Sequence, residues 1–250
     1  MSVTAHDHQF AADLATRTGE ILLEVRSRLV AAGASAGEIK DEGDRAAHEL
    51  IVAELAMHRP ADAVLSEEGK DDKARLGAER TWIVDPLDGT REFSEPPRDD
   101  WAVHIALVVA GVAVAGGVAL PAQGITLSTA QPPTLPPPSP DAPRVIVSRT
   151  RRPPAAVTLA AELEAQYIEM GSAGAKAMAV VLGHADIYAH SGGQYEWDNA
   201  APVAVAMSAG LHCSRLDGSP LVYNNDDVYL PDLLICRTEW AERSLAILNR

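Results

Sequence analysis

Residues 81–90 read Thr-Trp-Ile-Val-Asp-Pro-Leu-Asp-Gly-Thr, an apolar strand that runs into two carboxylates, a glycine and a threonine. Pro86 has a fixed φ of about −65° and is expected to end the strand, so that Asp85 and Asp88 lie three residues apart on a turn. The carbonyl of Leu87 can point the same way, and carboxylate and carbonyl oxygens are ligands that Mg²⁺ prefers. Turns between ordinary strands use the same residue types, so this stretch alone is equally compatible with a structural turn.

Composition and charge describe an acidic globular chain. The 250 residues are 47% hydrophobic and carry a net charge of −14, which argues against binding to nucleic-acid phosphates, because proteins that do so present a basic surface. An acidic protein can still bind a phosphorylated small molecule when metal ions screen its carboxylates. Cys213 and Cys236 form neither a disulfide framework nor a metal-ligand spacing, as expected in a reducing cytoplasm.

Signals for targeting or membrane insertion are not expected either. Residues 1–13 contain two acidic residues and lack the apolar core of a signal peptide. The longest apolar run, 105–120, is interrupted by three glycines and has the character of a hairpin. We therefore expect a cytoplasmic protein with no nucleic-acid or membrane partner.

Periodicity along the chain predicts a mixture of helices and strands. A second helix is expected to begin at Asp44, whose carboxylate can cap it. The stretch 131–143 contains seven prolines and is the best candidate for a linker. It separates a predicted N-terminal α+β subdomain, 1–140, from a C-terminal α/β subdomain, 141–250. The other predicted elements are strands at 63–66, 81–85, 101–109, 112–120, 144–147, 185–189 and 232–236 and helices at 10–29, 155–165, 175–182, 198–209 and 240–248.

Further acidic residues lie at the ends of predicted elements. Glu67 and Glu68 follow a short strand, whereas Asp198 and Asp44 each stand at the start of a helix. Each has an ordinary alternative, namely a solvated loop for the glutamates and a helix cap for the aspartates. A shared metal site would also place carboxylates at element ends, and the sequence does not show whether they converge.

Glu67-Glu68, residues 85–90 and Trp197-Asp198-Asn-Ala-Ala together resemble the inositol monophosphatase superfamily of Mg²⁺-dependent, lithium-sensitive phosphatases. Three motifs in this order are more specific than any one of them. The resemblance implies a layered α+β or α/β sandwich with the order αβαβα and two packed subdomains, and homodimers are common among such proteins. Arg91-Glu92-Phe93 and Glu196 are similar to the branch, called CysQ, that hydrolyses the 3′-phosphate of 3′-phosphoadenosine 5′-phosphate in sulfate assimilation.

The resemblance also implies a role for each matching residue. The ligands of two or three Mg²⁺ ions would be Glu67, Asp85, the Leu87 carbonyl, Asp88 and Asp198, with Glu68 supporting them. The catalytic residues that orient and deprotonate the attacking water would be Thr90, Asp44 and Glu67. The contacts to the substrate would come from Asp88, Gly89, Thr90, Arg149, Ser172, Lys176, Tyr195 and Asp198. Lys176 is equally compatible with a solvated lysine on a helix.

Other functions remain open on the sequence. Inositol monophosphates and fructose 1,6-bisphosphate are alternative substrates within the superfamily, and a non-catalytic metal- or nucleotide-binding regulator is an alternative of another class. Residues 87–90 also resemble the Asp-x-Asp-Gly-Thr motif of haloacid-dehalogenase-like phosphatases. There the two acids lie two residues apart, whereas Asp85 and Asp88 lie three apart, so no covalent aspartyl phosphate is expected.

Overall fold

The computed structural model describes residues 3–139 and 141–250, which contain two five-stranded sheets. The first sheet is formed by β1 (Ala63–Ser66), β2 (Arg80–Asp88), β3 (Ala102–Val109), β4 (Val112–Leu120) and β5 (Ile125–Ser128). The strands lie in this order, with β1 parallel to β2 and all other neighbours antiparallel. Ala110 and Gly111 join β3 to β4, and both have the positive φ that a two-residue hairpin turn of type I′ requires.

The second sheet is built from the residues that follow the proline-rich stretch. Its strands are β6 (Arg144–Ser148), β7 (Gln166–Met170), β8 (Ile187–Tyr195), β9 (His212–Ser214) and β10 (Tyr229–Cys236). They lie in the order β7-β6-β8-β10-β9, with β6 parallel to both of its neighbours and β10 antiparallel to β8 and β9. The parallel pairs require crossover connections, which helices supply.

Helices cover the faces of both sheets and give the predicted αβαβα order of layers. They are α1 (Ala5–Ala31), α2 (Ala36–His58), the single turn α3 (Thr90–Phe93), α4 (Pro154–Glu162), α5 (Ala173–Val181), α6 (Glu196–Ser208) and α7 (Thr238–Leu248). Helices α1 and α2 pack on the outer face of the first sheet, α5 and α6 lie between the sheets, and α4 and α7 cover the second sheet. Among the described residues, no helix combines the length and apolar character needed to cross a bilayer.

The apolar core is shared between the two parts of the chain. Helix α6 packs against β3 and β4, and one cluster of buried apolar side chains contains residues of both sheets. One sheet precedes residue 140 and the other follows it, whereas the division into subdomains 1–140 and 141–250 remains a prediction. Two expectations extend outside the described residues, because the linker 131–143 includes Pro140 and the segment 1–13 includes the first two residues.

The structure differs from several predicted elements. Helix α2 begins at Ala36, where the Ser35 side chain accepts a backbone N–H, so the predicted start at Asp44 is wrong and Asp44 lies inside the helix. Strand β2 continues through Pro86 to Asp88, so the proline does not end it. The strands β5, β7 and β9, of three to five residues each, were not predicted.

Candidate active site

Strand β2 brings two aspartates to the same face through an irregularity in its pairing with β3. Asp85 pairs with His104 and Asp88 with Ala102, so a step of three residues on β2 matches a step of two on β3. Residues three apart on a regular strand point to opposite faces, and the extra residue of the bulge returns them to one face. The Asp85 carboxylate accepts the Leu87 N–H at 3.1 Å within the bulge. This local irregularity aligns the two carboxylates.

Asp198 joins this pair from the second part of the chain. It lies in the first turn of α6, where its carboxylate accepts the backbone N–H of Tyr195 at 2.6 Å. One carboxylate oxygen from each of Asp85, Asp88 and Asp198 lies within 4.8 Å of the others. Asp198 therefore closes the first turn of its helix and also reaches the carboxylate cluster, a name we use for these three aspartates.

Burial and mutual repulsion make the carboxylate cluster costly to ionise. The pKa of Asp85 rises well above its usual value, because the side chain is fully buried and lies near the charges of Glu67 and Asp88. Burial and the charge of Asp88 raise the pKa of Asp198 to about 7. Glu67 is an exposed residue, yet partial desolvation of its carboxyl, reinforced by the charge of Asp88, raises its pKa to about 7. Near neutral pH, the metal-free protein therefore retains protons here.

Asp88 behaves differently from its neighbours, because its pKa falls to about 2. Burial opposes this change, but His104 Nε2 lies 3.2 Å from Oδ2, and the Ser172 hydroxyl donates to the same oxygen. Backbone N–H groups at the start of α5 also donate, from Ala173 to Oδ1 at 3.1 Å and from Gly174 to Oδ2 at 2.6 Å. Because Oδ1 accepts a single hydrogen bond from the described residues, it retains a lone pair for a cation.

His104 is a site residue that the sequence motifs did not indicate. It is fully buried, and its Nδ1 lies 3.0 Å from the Trp197 carbonyl oxygen. Burial favours the neutral ring, yet the Asp88 carboxylate beside Nε2 raises the pKa of His104. A Cβ on Gly174 would lie 1.9 Å from Nε2, so α5 approaches this ring closely only with glycine there. The signal in the sequence was a polar residue within the apolar strand 102–109.

The residues of the carboxylate cluster fit a divalent cation with oxygen ligands. Asp85 Oδ2 is buried and has no hydrogen-bond partner among the described residues, although two other carboxylates lie close to it. A cation would offset the repulsion, and Mg²⁺ prefers carboxylate oxygens. Asp85, Asp88 and Asp198 are the side chains that would hold it.

The other predicted ligands surround the cluster. Glu67 lies near enough to Asp85 and Asp88 for their charges to affect one another, but it stands outside the group of three aspartates, and both Glu67 and Glu68 are exposed residues. The Leu87 carbonyl accepts the Thr90 hydroxyl at 3.2 Å, so this predicted ligand also fixes the side chain expected to orient water. The roles of these residues as metal ligands remain predictions.

Asp44 projects from α2 as a half-buried carboxyl. Burial and the charges of Glu68 and Asp41 raise its pKa to about 7. A pKa near neutrality suits a group that exchanges protons under physiological conditions. In residues 3–139 and 141–250, no hydrogen bond joins Asp44 to Thr90, so their joint action on water remains a prediction.

Predicted substrate contacts are engaged with other protein groups. Arg149 donates to Glu92 at 2.6 Å and to Glu95 at 2.8 Å. Lys176 is buried and donates to the backbone carbonyl of Ser172, and burial lowers its pKa to about 8. The alternative of a solvated helix lysine is therefore wrong, since this ammonium group stabilises the turn before α5.

Glu196 holds the loop before β10 against the first turn of α6. Its carboxylate accepts the N–H of Asn224 at 2.6 Å and the backbone and side-chain N–H groups of Asn225 at 2.9 and 2.8 Å. Arg75 reaches the same loop from the first part of the chain and donates to the Asn224 side chain at 2.7 Å. This network ties both parts of the chain together beside the helix that carries Asp198.

Glu196→Gln is expected to lower the free energy of unfolding by about 1–3 kcal/mol, because one carboxylate acceptor becomes a donor facing an N–H in a buried site. Denaturant unfolding with fixed Mg²⁺ measures the change. Glu20→Gln, at an exposed position on α1, is the matched control and should unfold like the wild type. Equal midpoints and slopes for both variants would show that the Glu196 hydrogen bonds contribute no net stability.

Known proteins resemble this chain over nearly its whole length. The model of the inositol monophosphatase family matches residues 5–249. The 3′-phosphoadenosine 5′-phosphate phosphatase of Mycobacterium leprae is 48% identical over 255 aligned positions, which cover 97% of this chain and 93% of that protein. The 3′(2′),5′-bisphosphate nucleotidase CysQ of Escherichia coli K12 is 32% identical over 200 positions, covering 75% of this chain and 80% of that protein.

A solved structure agrees with the fold. CysQ from Bacteroides thetaiotaomicron, described as a bacterial member of the inositol monophosphatase family, superposes with a TM-score of 0.75 at 29% identity. The match covers 93% of this chain and 97% of the other. The layered architecture predicted from the sequence is thereby confirmed.

Proposed function

Because this chain belongs to the inositol monophosphatase family, we propose that it is a Mg²⁺-dependent phosphomonoesterase that converts 3′-phosphoadenosine 5′-phosphate to AMP and phosphate. The observation that carries this proposal is the carboxylate cluster at the end of β2 and the start of α6. The names of the relatives at 48% and 32% identity favour a nucleotide over an inositol substrate. A cytoplasmic location and a homodimeric assembly belong to the same proposal.

Hydrolysis of a phosphate ester depends mainly on positioning and on stabilising the charge of the phosphoryl oxygens. Bound Mg²⁺ would supply positive charge for those oxygens and lower the pKa of water in the site. Gly89 has a φ of +84°, and a Cβ there would lie 3.0 Å from Ser172 Cβ, so glycine allows α5 to close against the turn proposed to bind phosphate. The Thr90 hydroxyl would orient water, and Asp44 would accept its proton.

A cation on the second part of the chain favours a substrate with two phosphates. Arg151 has no carboxylate partner among the described residues, and its guanidinium lies 3.2 Å from His190 Nε2. Burial, reinforced by the Arg151 charge, lowers the pKa of His190 to about 4, so this ring stays neutral and leaves the cation unbalanced. Arg149 is also proposed to meet the nucleotide, which would have to compete with Glu92 for it.

Phosphate release from three substrates tests this function. With Mg²⁺, we expect kcat/KM for 3′-phosphoadenosine 5′-phosphate to exceed those for myo-inositol 1-phosphate and fructose 1,6-bisphosphate by about tenfold or more, because only the nucleotide offers a base and a 5′-phosphate to bind. Li⁺ should inhibit the reaction. A higher kcat/KM for either alternative would reassign the substrate, and no phosphate release from any of them would favour a non-catalytic regulator.

A further inference from the structure

Three aromatic side chains lie at the start of α6 and the facing end of β10, and we refer to Tyr195, Trp197 and Tyr229 as the aromatic platform. The rings of Tyr195 and Trp197 are stacked, with centroids 5.0 Å apart and planes 14° from parallel. The edge of one tyrosine ring meets the other, with the Tyr195 and Tyr229 centroids 6.0 Å apart. Tyr195 is 44% exposed and Tyr229 is 42% exposed. An ordered but uncovered aromatic group of this size offers a stacking surface to a ligand.

The aromatic platform is joined to the reaction site through the backbone. Tyr195 donates its N–H to the Asp198 carboxylate at 2.6 Å, so the residue that carries the exposed ring also orients a member of the carboxylate cluster. Tyr229 stands opposite Tyr195 in the pairing of β8 with β10, and its hydroxyl accepts the Gly193 N–H at 3.0 Å. The two rings are thereby held at one edge of the site.

A positive charge lies at the same edge. A Cβ on Gly193 would lie 3.0 Å from an Arg151 guanidinium nitrogen, so the arginine packs directly on the residue whose N–H the Tyr229 hydroxyl accepts. From the end of β8 into α6, the cation at Gly193, the aromatic surface at Tyr195 and the carboxylate of Asp198 follow one another. Together they match a ligand with one phosphate at a metal site, a second anionic group and a flat ring.

We propose that the aromatic platform stacks the nucleobase of the substrate while its 3′-phosphate is bound at the carboxylate cluster. The inference rests on the proposed nucleotide substrate and adds the residues that bind the base. Every base presents a flat π face, and stacking on an aromatic side chain tolerates any of them. A base held in this way is not selected through hydrogen bonds to its edge.

The aromatic platform thus predicts a base-tolerant enzyme. Guanosine 3′,5′-bisphosphate should be hydrolysed with a kcat/KM within about tenfold of the adenosine compound, because both purines present similar stacking area. The abasic analogue 1,2-dideoxyribose 3,5-bisphosphate retains both phosphates and lacks the ring. It should show a raised KM, because binding that is equal in the ground state and the transition state appears in KM.

Tyr195→Ala tests the proposal through the ratio of kcat/KM for the adenosine compound to that for the abasic analogue. We expect this ratio to fall by about tenfold, through the KM of the nucleotide. Tyr229→Ala should lower the ratio in the same direction, and Tyr195→Phe, which restores the ring, should recover it. Tyr167→Ala is the matched control, since Tyr167 lies on β7, is 36% exposed and packs on Arg152, with the guanidinium carbon 4.7 Å from the ring centroid.

The outcomes separate the two proposals. A similar loss on both substrates in Tyr195→Ala would show that the ring supports the site without binding the base, while the nucleotide phosphatase activity would stand. A ratio that falls equally in the Tyr167→Ala control would also overturn the role of the aromatic platform. If the wild type released phosphate from neither nucleoside bisphosphate, the proposed function itself would fail, and base stacking with it.

Discussion

Asp85→Asn is expected to lower kcat/KM by about 10³-fold or more, while the metal-free variant remains at least as stable as the wild type. Asp85 is fully buried, its Oδ2 lacks a partner in the described part of the chain, and burial together with Glu67 raises its pKa. Asparagine has nearly the same shape and can still accept the Leu87 N–H, but it cannot ionise as the carboxyl can. Without a cation this relieves repulsion, and with a cation it removes a ligand.

Steady-state kinetics and the melting temperature, measured with a chelator and with saturating Mg²⁺, separate these two effects. Asp85→Asn should lose most of the rise in melting temperature that Mg²⁺ produces in the wild type. Asp13→Asn, at an exposed position on α1, is the control and should match the wild type in both measurements. Retained activity in Asp85→Asn would place the reaction centre elsewhere. A much lower melting temperature of the metal-free variant would indicate a structural role for the carboxylate.

The second large effect concerns the metal-free protein, whose free energy of unfolding should decrease as the pH rises. Partial desolvation is the first cause that raises the pKa values of Asp44, Glu67 and Asp198, and each reaches about 7, compared with about 4 for the same groups in an unfolded chain. Between about pH 4 and about pH 7 the folded state therefore binds more protons than the unfolded state. Stability conferred by these protons is present below this window and is lost as the pH rises through it.

Mg²⁺ should reverse this trend, because it binds the ionised carboxylates and not the protonated ones. With a chelator, we expect the melting temperature at about pH 8 to lie several degrees below that at about pH 5, and saturating Mg²⁺ should raise it most at the higher pH. Calorimetry in buffers of different ionisation enthalpy should detect protons released on binding. A melting temperature that does not respond to Mg²⁺ at about pH 8 would contradict a metal site at the carboxylate cluster.

Much of the fold was predictable because its signals are local. The long helix α1 shows its apolar period within the chain, and the hairpin of β3 and β4 shows its apolar run and its Ala110-Gly111 turn. Helix α2 was placed too late because Asp44 is as plausible a cap as Ser35, and the structure uses the serine. The short strands β5, β7 and β9 were missed, whereas β1, which is equally short, was found from its apolar residues.

The candidate site was predictable only in part. Motifs in the sequence indicated Asp85, Asp88 and Asp198 as ligands of one site, and the structure brings these three together. His104 and the aromatic partner Tyr229 belong to no motif, because their importance arises from contacts with residues far away in the chain. The partners of Arg149 were likewise not visible, since pairing with Glu92 depends on how the two sheets pack.

The sequence by itself determined the chemical types of the ligands, the order of the long helices and strands and the family, because the signals for these lie in short stretches of neighbouring residues. Only the tertiary structure decided that Asp85 and Asp88 face the same way, which follows from the bulge in β2 opposite β3. It also decided that Asp198 reaches them from α6 and that burial raises most of the pKa values in the cluster. Distances and desolvation depend on register and packing between segments more than a hundred residues apart, which no local pattern specifies.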